Sequence, residues 1–167
     1  LLSGRLQGGG RPGLATLAAL PAVLDCEDAV SAVRRARYVW IVFTVLMGAG
    51  LWTLLRRACR RSAEPAIAAT VGTGLLVLVP VFLRWSLQVR TDHGAVAAAL
   101  WAGALALGPR RRGREAFAAG LLLGVGYLFS QKAAYLALLV GLLALGDVLI
   151  DRSWRTGREL GRALLAG

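Results

Sequence analysis

Apolar runs without a single charge, separated by short arginine clusters, constrain this chain more than anything else in it. Ala66 to Leu83 and Gly94 to Gly108 contain no Asp, Glu, Lys or Arg, and stretches of that length and cleanness are read as helices that cross a bilayer. Composition agrees: 57% of the residues are hydrophobic and the mean hydropathy is +0.62, against roughly 45–50% apolar residues in an ordinary soluble domain. At roughly 20 residues per crossing, the 167 residues hold about five spans. The expected fold class is therefore all-α, a polytopic transmembrane helix bundle of about five spans plus a short interfacial helix.

Read along the chain, residues 1–13 are rich in Gly and Arg and include Pro12, the composition of a loop. Leu14 to Leu24 is apolar but too short to span, so it is expected to lie in the interface or to pack on protein. Asp28 can cap a helix leading into the first span. The spans are expected at about 38–55, 66–83, 94–108, 116–129 and 133–150. This divides the chain into a loop remnant with an interfacial helical segment (1–37), a five-span region (38–150) and a basic segment (151–167). Pro65 suits a helix start, where a missing amide is tolerated, and Pro80 should kink the second helix or end it early. Residues 116–150 as one helix would run about 50 Å at 1.5 Å per residue, so the chain must turn near Lys132. Gly120 and Gly124 form a small-xxx-small pair expected to serve close helix packing.

The charges predict which side each loop faces. Segments after the first, third and fifth spans carry Arg56, Arg57, Arg60, Arg61, Arg110, Arg111, Arg112, Arg114, Arg152, Arg155, Arg158 and Arg162. The two loops on the opposite face carry only Arg84, Arg90 and Lys132 as cations. By the positive-inside bias the arginine-rich face is cytoplasmic, and residues 84–93 and 130–132 are extracytoplasmic. The cytoplasmic clusters are assigned to topology alone. A net charge of +11 distributed this way, without a basic stripe interleaved with aromatics, does not suit nucleic acid. Cys26 and Cys59 show no metal-ligand spacing and fall on opposite faces, so they are not expected to pair.

The chemistry-bearing residues then converge on the extracytoplasmic face, in the polar island Arg84-Trp85-Ser86-Leu87-Gln88-Val89-Arg90-Thr91-Asp92-His93 and at Lys132. Arginine offers a forked permanent cation and lysine a point charge, both suited to phosphate. Arg84, Arg90 and Lys132 could together hold a phosphate or pyrophosphate at the membrane surface, while Asp92 could orient Arg90, bind a sugar hydroxyl or act as a base. The same spacing is met by a plain helix cap at Asp92 with Arg90 snorkelling to water. His93, with no second His or Cys nearby, reads more simply as a helix-start polar residue than as a ligand. Lys132 is the single lysine among nineteen arginines and stands at a turn between apolar helices, a position where an ionisable group is a site candidate.

The order of several short motifs carries a resemblance. Ala36-Arg37-Tyr38 at the start of a span, Pro80 near the end of the next, Leu87-Gln88-Val89-Arg90-Thr91-Asp92, Ala119-Gly120-Leu121-Leu122-Leu123-Gly124 and Ser130-Gln131-Lys132-Ala133-Ala134 resemble bacterial polytopic glycosyltransferases of the GT-C fold. The type is that of the dolichyl-phosphate-mannose protein mannosyltransferases and aminoarabinose transferases, including a subgroup with a Glu-Ile-Arg-Pro-Asp-like loop. This chain departs from that loop at Gln88 and Thr91. The resemblance covers about residues 30–150. It implies transfer of a sugar from a polyprenyl-phosphate donor to an acceptor on the extracytoplasmic side of a bacterial plasma membrane, with a divalent metal in some relatives. It also implies that Arg37, Arg90, Asp92 and Lys132 bind the donor phosphate or shape the site; Arg84 and His93 are weaker candidates from their place in the polar island alone. The acceptor is not indicated.

Relatives of this type take their catalytic base from an acidic residue in the loop after a first transmembrane helix. Asp25, Glu27 and Asp28 stand in the corresponding loop but too near Arg37 to match, so the base is expected upstream of Leu1. The chain starts on Leu1 rather than Met and is expected to be a fragment, inactive alone. The rival reading is a segment of a polytopic transporter or flippase for an anionic or lipid-linked substrate, with the same charges lining a path at a broken helix.

Overall fold

The structure, a computed structural model, describes residues 14–24, 28–80, 82, 84, 92–107 and 113–165. Among the described residues six helices follow one another: α1 (Leu14–Val23), α2 (Ala29–Ala58), α3 (Pro65–Leu78), α4 (Asp92–Ala106), α5 (Gly113–Phe129) and α6 (Ala133–Leu165). No strand occurs among the described residues, and the all-α expectation is borne out.

Local chemistry sets the helix ends. Asp28, in extended conformation at the N-cap of α2, accepts from the Ser31 amide at 2.6 Å and from the Ser31 hydroxyl at 2.8 Å, which satisfies one of the free amides of the first turn. Arg56 and Arg57 occupy the last turn of α2, where cations oppose the negative end of the helix dipole. Ser62 Oγ then donates to Cys59 O at 2.8 Å and helps reverse the chain. Pro65 opens α3, and α3 stops at Leu78 because Val79, extended at ψ 118°, precedes Pro80, whose ring disfavours helical geometry at the residue before it.

The centre of the bundle is α4, against which α2, α5 and α6 all pack. It buries His93, Gly94, Ala95, Ala97, Ala98, Ala99, Ala102, Gly103 and Ala104. A helix can be enclosed on so many sides only if its side chains are small enough for neighbouring backbones to approach. The contacts show this. A Cβ on Gly50 would stand 3.1 Å from Leu100 Cβ and from the Trp101 ring, and one on Gly126 would stand 3.3 Å from Ala98 Cβ. Trp101 Nε1 donates to Leu46 O at 3.1 Å and locks α4 to α2.

Most large apolar side chains face the other way, Trp40, Leu107 and Val140 being buried. Val45, Leu75, Leu121 and Leu138 are each more than 60% exposed, and no large side chain is fully buried among the described residues. Small residues inside and bulky aliphatics outside is the arrangement of a bundle solvated by lipid. Among the described residues two helical windows, in Ala29–Ala58 and Ala133–Ile150, are long and apolar enough to cross a membrane. α3, α4 and α5 have 14, 15 and 17 residues.

The expected packing role of Gly120 and Gly124 is corrected. A Cβ at either would meet nothing within 4 Å. The close approach on α5 is made by Ala119 and Gly126, seven residues apart and thus on one face. Gly120 and Gly124, at about 100° per residue, lie on the outward side.

Candidate functional site

Two polar clusters mark opposite ends of α4, separated by its length of about 22 Å at 1.5 Å per residue. At the N-terminal end, Asp92 stands in the first turn of α4, where a carboxylate complements the positive end of the helix dipole. The turn between α5 and α6 comes up beside it. Ser130 N donates to Gly126 O at 3.0 Å, and Ala133 N donates back to Ser130 O at 2.9 Å, which closes the tight reversal required near Lys132.

This turn delivers two side chains to one carboxylate. Ser130 Oγ donates to Asp92 Oδ1 at 2.8 Å, and Lys132 Nζ donates to Asp92 Oδ2 at 3.2 Å. Ser130 Oγ also accepts from the Lys132 amide at 3.4 Å, so its hydroxyl proton is directed at Asp92. Both oxygens of Asp92 are engaged by donors, which suits an orienting group better than a base. The Lys132 side chain is 70% exposed and that of Asp92 29%. The ammonium carries three donors, so engagement with Asp92 leaves it able to meet an anion arriving from outside.

Behind the pair the wall is aromatic and tight. Phe129, just before Ser130, lies against Gly94, where an added Cβ would come within 2.5 Å of its ring. Phe129 also meets Phe43 edge-on at 5.2 Å between centroids, and Phe43 meets Trp40 at 6.1 Å. His93 is buried, with 6% of its surface exposed.

Asp92 and Lys132, two of the four principal site candidates, are thus in contact, and His93 is adjacent to them. Arg37 is exposed on α2, about 9 Å along the axis from Phe43, and no described hydrogen bond joins it to the pair. Arg84 is exposed. Arg90, and Asp25 and Glu27 of the acidic stretch, lie outside the described residues. Asp28 is occupied as the α2 cap; its carboxyl is held below the usual range by the Ser31 amide and then by the Ser31 hydroxyl. Among the described residues no three His, Cys, Asp or Glu side chains are grouped to hold a metal ion, so no step is assigned to one.

At the other end of α4, Arg57 Nη1 donates to Ala104 O, and Arg60 Nη1 donates to Leu107 O at 2.8 Å. Carbonyls in the last turn of a helix have no intrahelical partner, and these guanidiniums supply one. Arg60 Nη2 also pairs with Asp147 of α6 at 3.1 Å, the two side chains being 24% and 15% exposed. The assignment of this cluster to topology alone is therefore corrected: Arg57 and Arg60 turn inward and tie α2 to α4 and α6. Arg56 faces outward, its guanidinium 5.2 Å from the centre of the Trp52 ring.

Sequence reasoning did not single out Ser130, Phe129, Arg57, Arg60 or Asp147. Asp147 had a usable signal, being an acid within an otherwise apolar run, where ionisable groups are expensive and need a partner. Ser130 had its place in the turn and in the motif Ser130-Gln131-Lys132, neither of which pointed to Asp92.

No curated protein and no solved structure matches the chain. A family model does: that of dolichyl-phosphate-mannose-protein mannosyltransferase matches residues 30–164, which takes in α2 to α6 and both polar clusters. The chain belongs to the dolichyl-phosphate-mannose-protein mannosyltransferase family, polytopic membrane glycosyltransferases of GT-C type.

Proposed function

We propose that the protein transfers a sugar from a polyprenyl-phosphate donor to an acceptor on the extracytoplasmic side of a bacterial plasma membrane, and that Lys132, aimed by Asp92 and Ser130, neutralises the phosphate as it leaves. The observation that carries this reading is the Asp92–Lys132 ion pair at the end of the bundle opposite Arg57 and Arg60, with the lysine mostly exposed.

A phosphate leaving group gains negative charge as the glycosidic bond breaks, so a preplaced cation stabilises the transition state more than the ground state. Arg90, in the segment leading into α4, is proposed as the second cation and Arg37 as a more remote one. With both Asp92 oxygens already accepting hydrogen bonds, the base that activates the acceptor hydroxyl is assigned to another acidic residue. The five helices α2 to α6 are proposed as the crossings, with Arg57 and Arg60 at the cytoplasmic end. The shorter α3, α4 and α5 are accommodated by local thinning and by snorkelling of flanking arginines.

The test is transfer from a polyprenyl-phosphate sugar by the full-length protein in membranes. Lys132→Ala and Arg90→Ala should each lower kcat/KM by at least about a hundredfold, the scale of losing one charge-stabilising donor. Wild-type rates in both variants would sink the reading. Uptake of a labelled lipid-linked substrate without any glycosylated product would favour transport instead.

A further inference from the structure

α3 packs on α2, and between the two an open groove of about 510 Å³ is lined by Trp52, Thr70, Thr73, Gly74, Val77 and Leu78. It shares no lining residue with the Asp92 site, and it does not rest on the sugar-transfer reading. Three features indicate what fills it. First, its walls beyond the Trp52 Nε1 to Thr70 Oγ1 hydrogen bond, 3.2 Å long, are apolar except for one hydroxyl. That hydroxyl, Thr73 Oγ1, is buried without a hydrogen-bond partner, so the surface a ligand meets beyond Thr70 is apolar.

Second, a cation stands at the groove's mouth. Arg57 and Arg60 are committed to α4 and α6, whereas Arg56 is exposed and stacked over Trp52, the residue that closes the groove at this end. Third, the dimensions match. From Thr70 to Leu78 the groove rises about 12 Å, close to one leaflet of a hydrocarbon core about 30 Å thick.

We propose that the groove is a binding site for one acyl chain of an anionic phospholipid whose phosphate sits on Arg56. The polar end of the groove places the headgroup at the arginine-rich face. The chain then runs past Thr73 and Gly74 toward Leu78, and the lipid fills the space that the described residues of α2 and α3 leave between them.

Gly74 offers a clean test, because a Cβ there meets nothing within 4 Å. Gly74→Leu therefore starts a bulky side chain from a Cβ position that touches no protein atom, at a residue that lines the groove, and it replaces a poor helix former by a good one. Full-length protein would be delipidated in detergent, confirmed folded by its melting profile, and given phosphatidylglycerol or phosphatidylcholine at equal concentration. Native mass spectrometry would then count the lipids retained. The wild type should retain one phosphatidylglycerol in preference to phosphatidylcholine. Gly74→Leu should lose it, and Arg56→Gln should reduce the preference about fivefold, the worth of one surface arginine against an anionic headgroup. Equal retention of the two lipids by the wild type, or undiminished retention by folded Gly74→Leu, would overturn the proposal. Displacement of the lipid by polyprenyl phosphate would overturn it in favour of the donor's own chain. Retention of no lipid at all would overturn it in favour of another protein segment covering the groove.

Discussion

Lys132 and Asp92 are forty positions apart in sequence and 3.2 Å apart in space, Nζ to Oδ2. The pair exists because the α5–α6 turn closes over the first turn of α4. An ion pair this exposed contributes at most about 1 kcal/mol to stability, so its consequence lies in where it holds the ammonium.

That gives a first expectation. Asp92→Asn keeps the shape and removes the charge, and should lower kcat/KM for the donor about tenfold, mainly through kcat, because the lysine it aims acts on the transition state. Lys132→Ala should cost at least about a hundredfold, and the double variant should be no worse than Lys132→Ala alone, since Asp92 acts through the lysine. A double-mutant cycle on transfer rates checks this. Additive losses would show that Asp92 has a separate role.

Ser130→Ala removes the hydroxyl that bonds Asp92 Oδ1 at 2.8 Å. One hydrogen bond to a charged group is worth about 1.5–3 kcal/mol, reduced here by the partial exposure of the site. Transfer should fall about fivefold, and Ser130→Thr, which keeps the hydroxyl, should recover most of the loss. Equal activity in Ser130→Ala and the wild type would remove Ser130 from the site.

Gly94 admits no side chain while Phe129 keeps its position. Gly94→Ala should destabilise the bundle by about 1–3 kcal/mol, the usual cost of overpacking, seen as a lower melting temperature in detergent. Phe129→Leu should suppress that loss when combined with Gly94→Ala. Absence of suppression would place the strain elsewhere.

Asp147 and Arg60 are only 15% and 24% exposed. Asp147→Ala should cost about 2 kcal/mol, between the value for an exposed pair and the roughly 3–5 kcal/mol of breaking a fully buried one. Transfer measured well below the melting temperature should change little. A loss of activity larger than the loss of folded protein would show that this end of the bundle takes part in the reaction.

Asp28 sets a pH dependence at the start of α2. Its carboxyl is lowered in the folded state, first by the Ser31 amide and then by the Ser31 hydroxyl. Its contribution is therefore present above the unfolded carboxyl value of about 3.9 and is lost as pH falls through the lower folded value. Amide exchange at Ser31 and Ala32, corrected for intrinsic rates, should lose protection across that acidic window. In Asp28→Ala the protection should be low and flat with pH.

The helical class was readable because lipid leaves the backbone little choice: long charge-free runs must satisfy their own amides and carbonyls. The turn near Lys132 was readable from length, since a largely apolar run of 35 residues, about 50 Å as one helix, exceeds a hydrocarbon core of about 30 Å. Packing faces were less legible. Gly120 and Gly124 have the spacing of an interface but look outward, while Gly126, Gly50 and Gly94 make the close approaches. A small residue permits contact without specifying it, and which face is used depends on how neighbouring helices rotate.

The same division holds for the polar residues. By itself the sequence determined that the chain is a helical membrane protein, and it singled out Lys132 and Asp92 as chemistry-bearing residues, because an ionisable group beside apolar helices is costly enough to stand out. Only the tertiary structure decided that these two meet, that Ser130 joins them, and that Arg57 and Arg60 turn inward to cap α4 and reach Asp147. The reason is geometric. Contacts across forty or eighty-seven residues are set by the register and rotation of packed helices, which residue spacing along one segment does not encode.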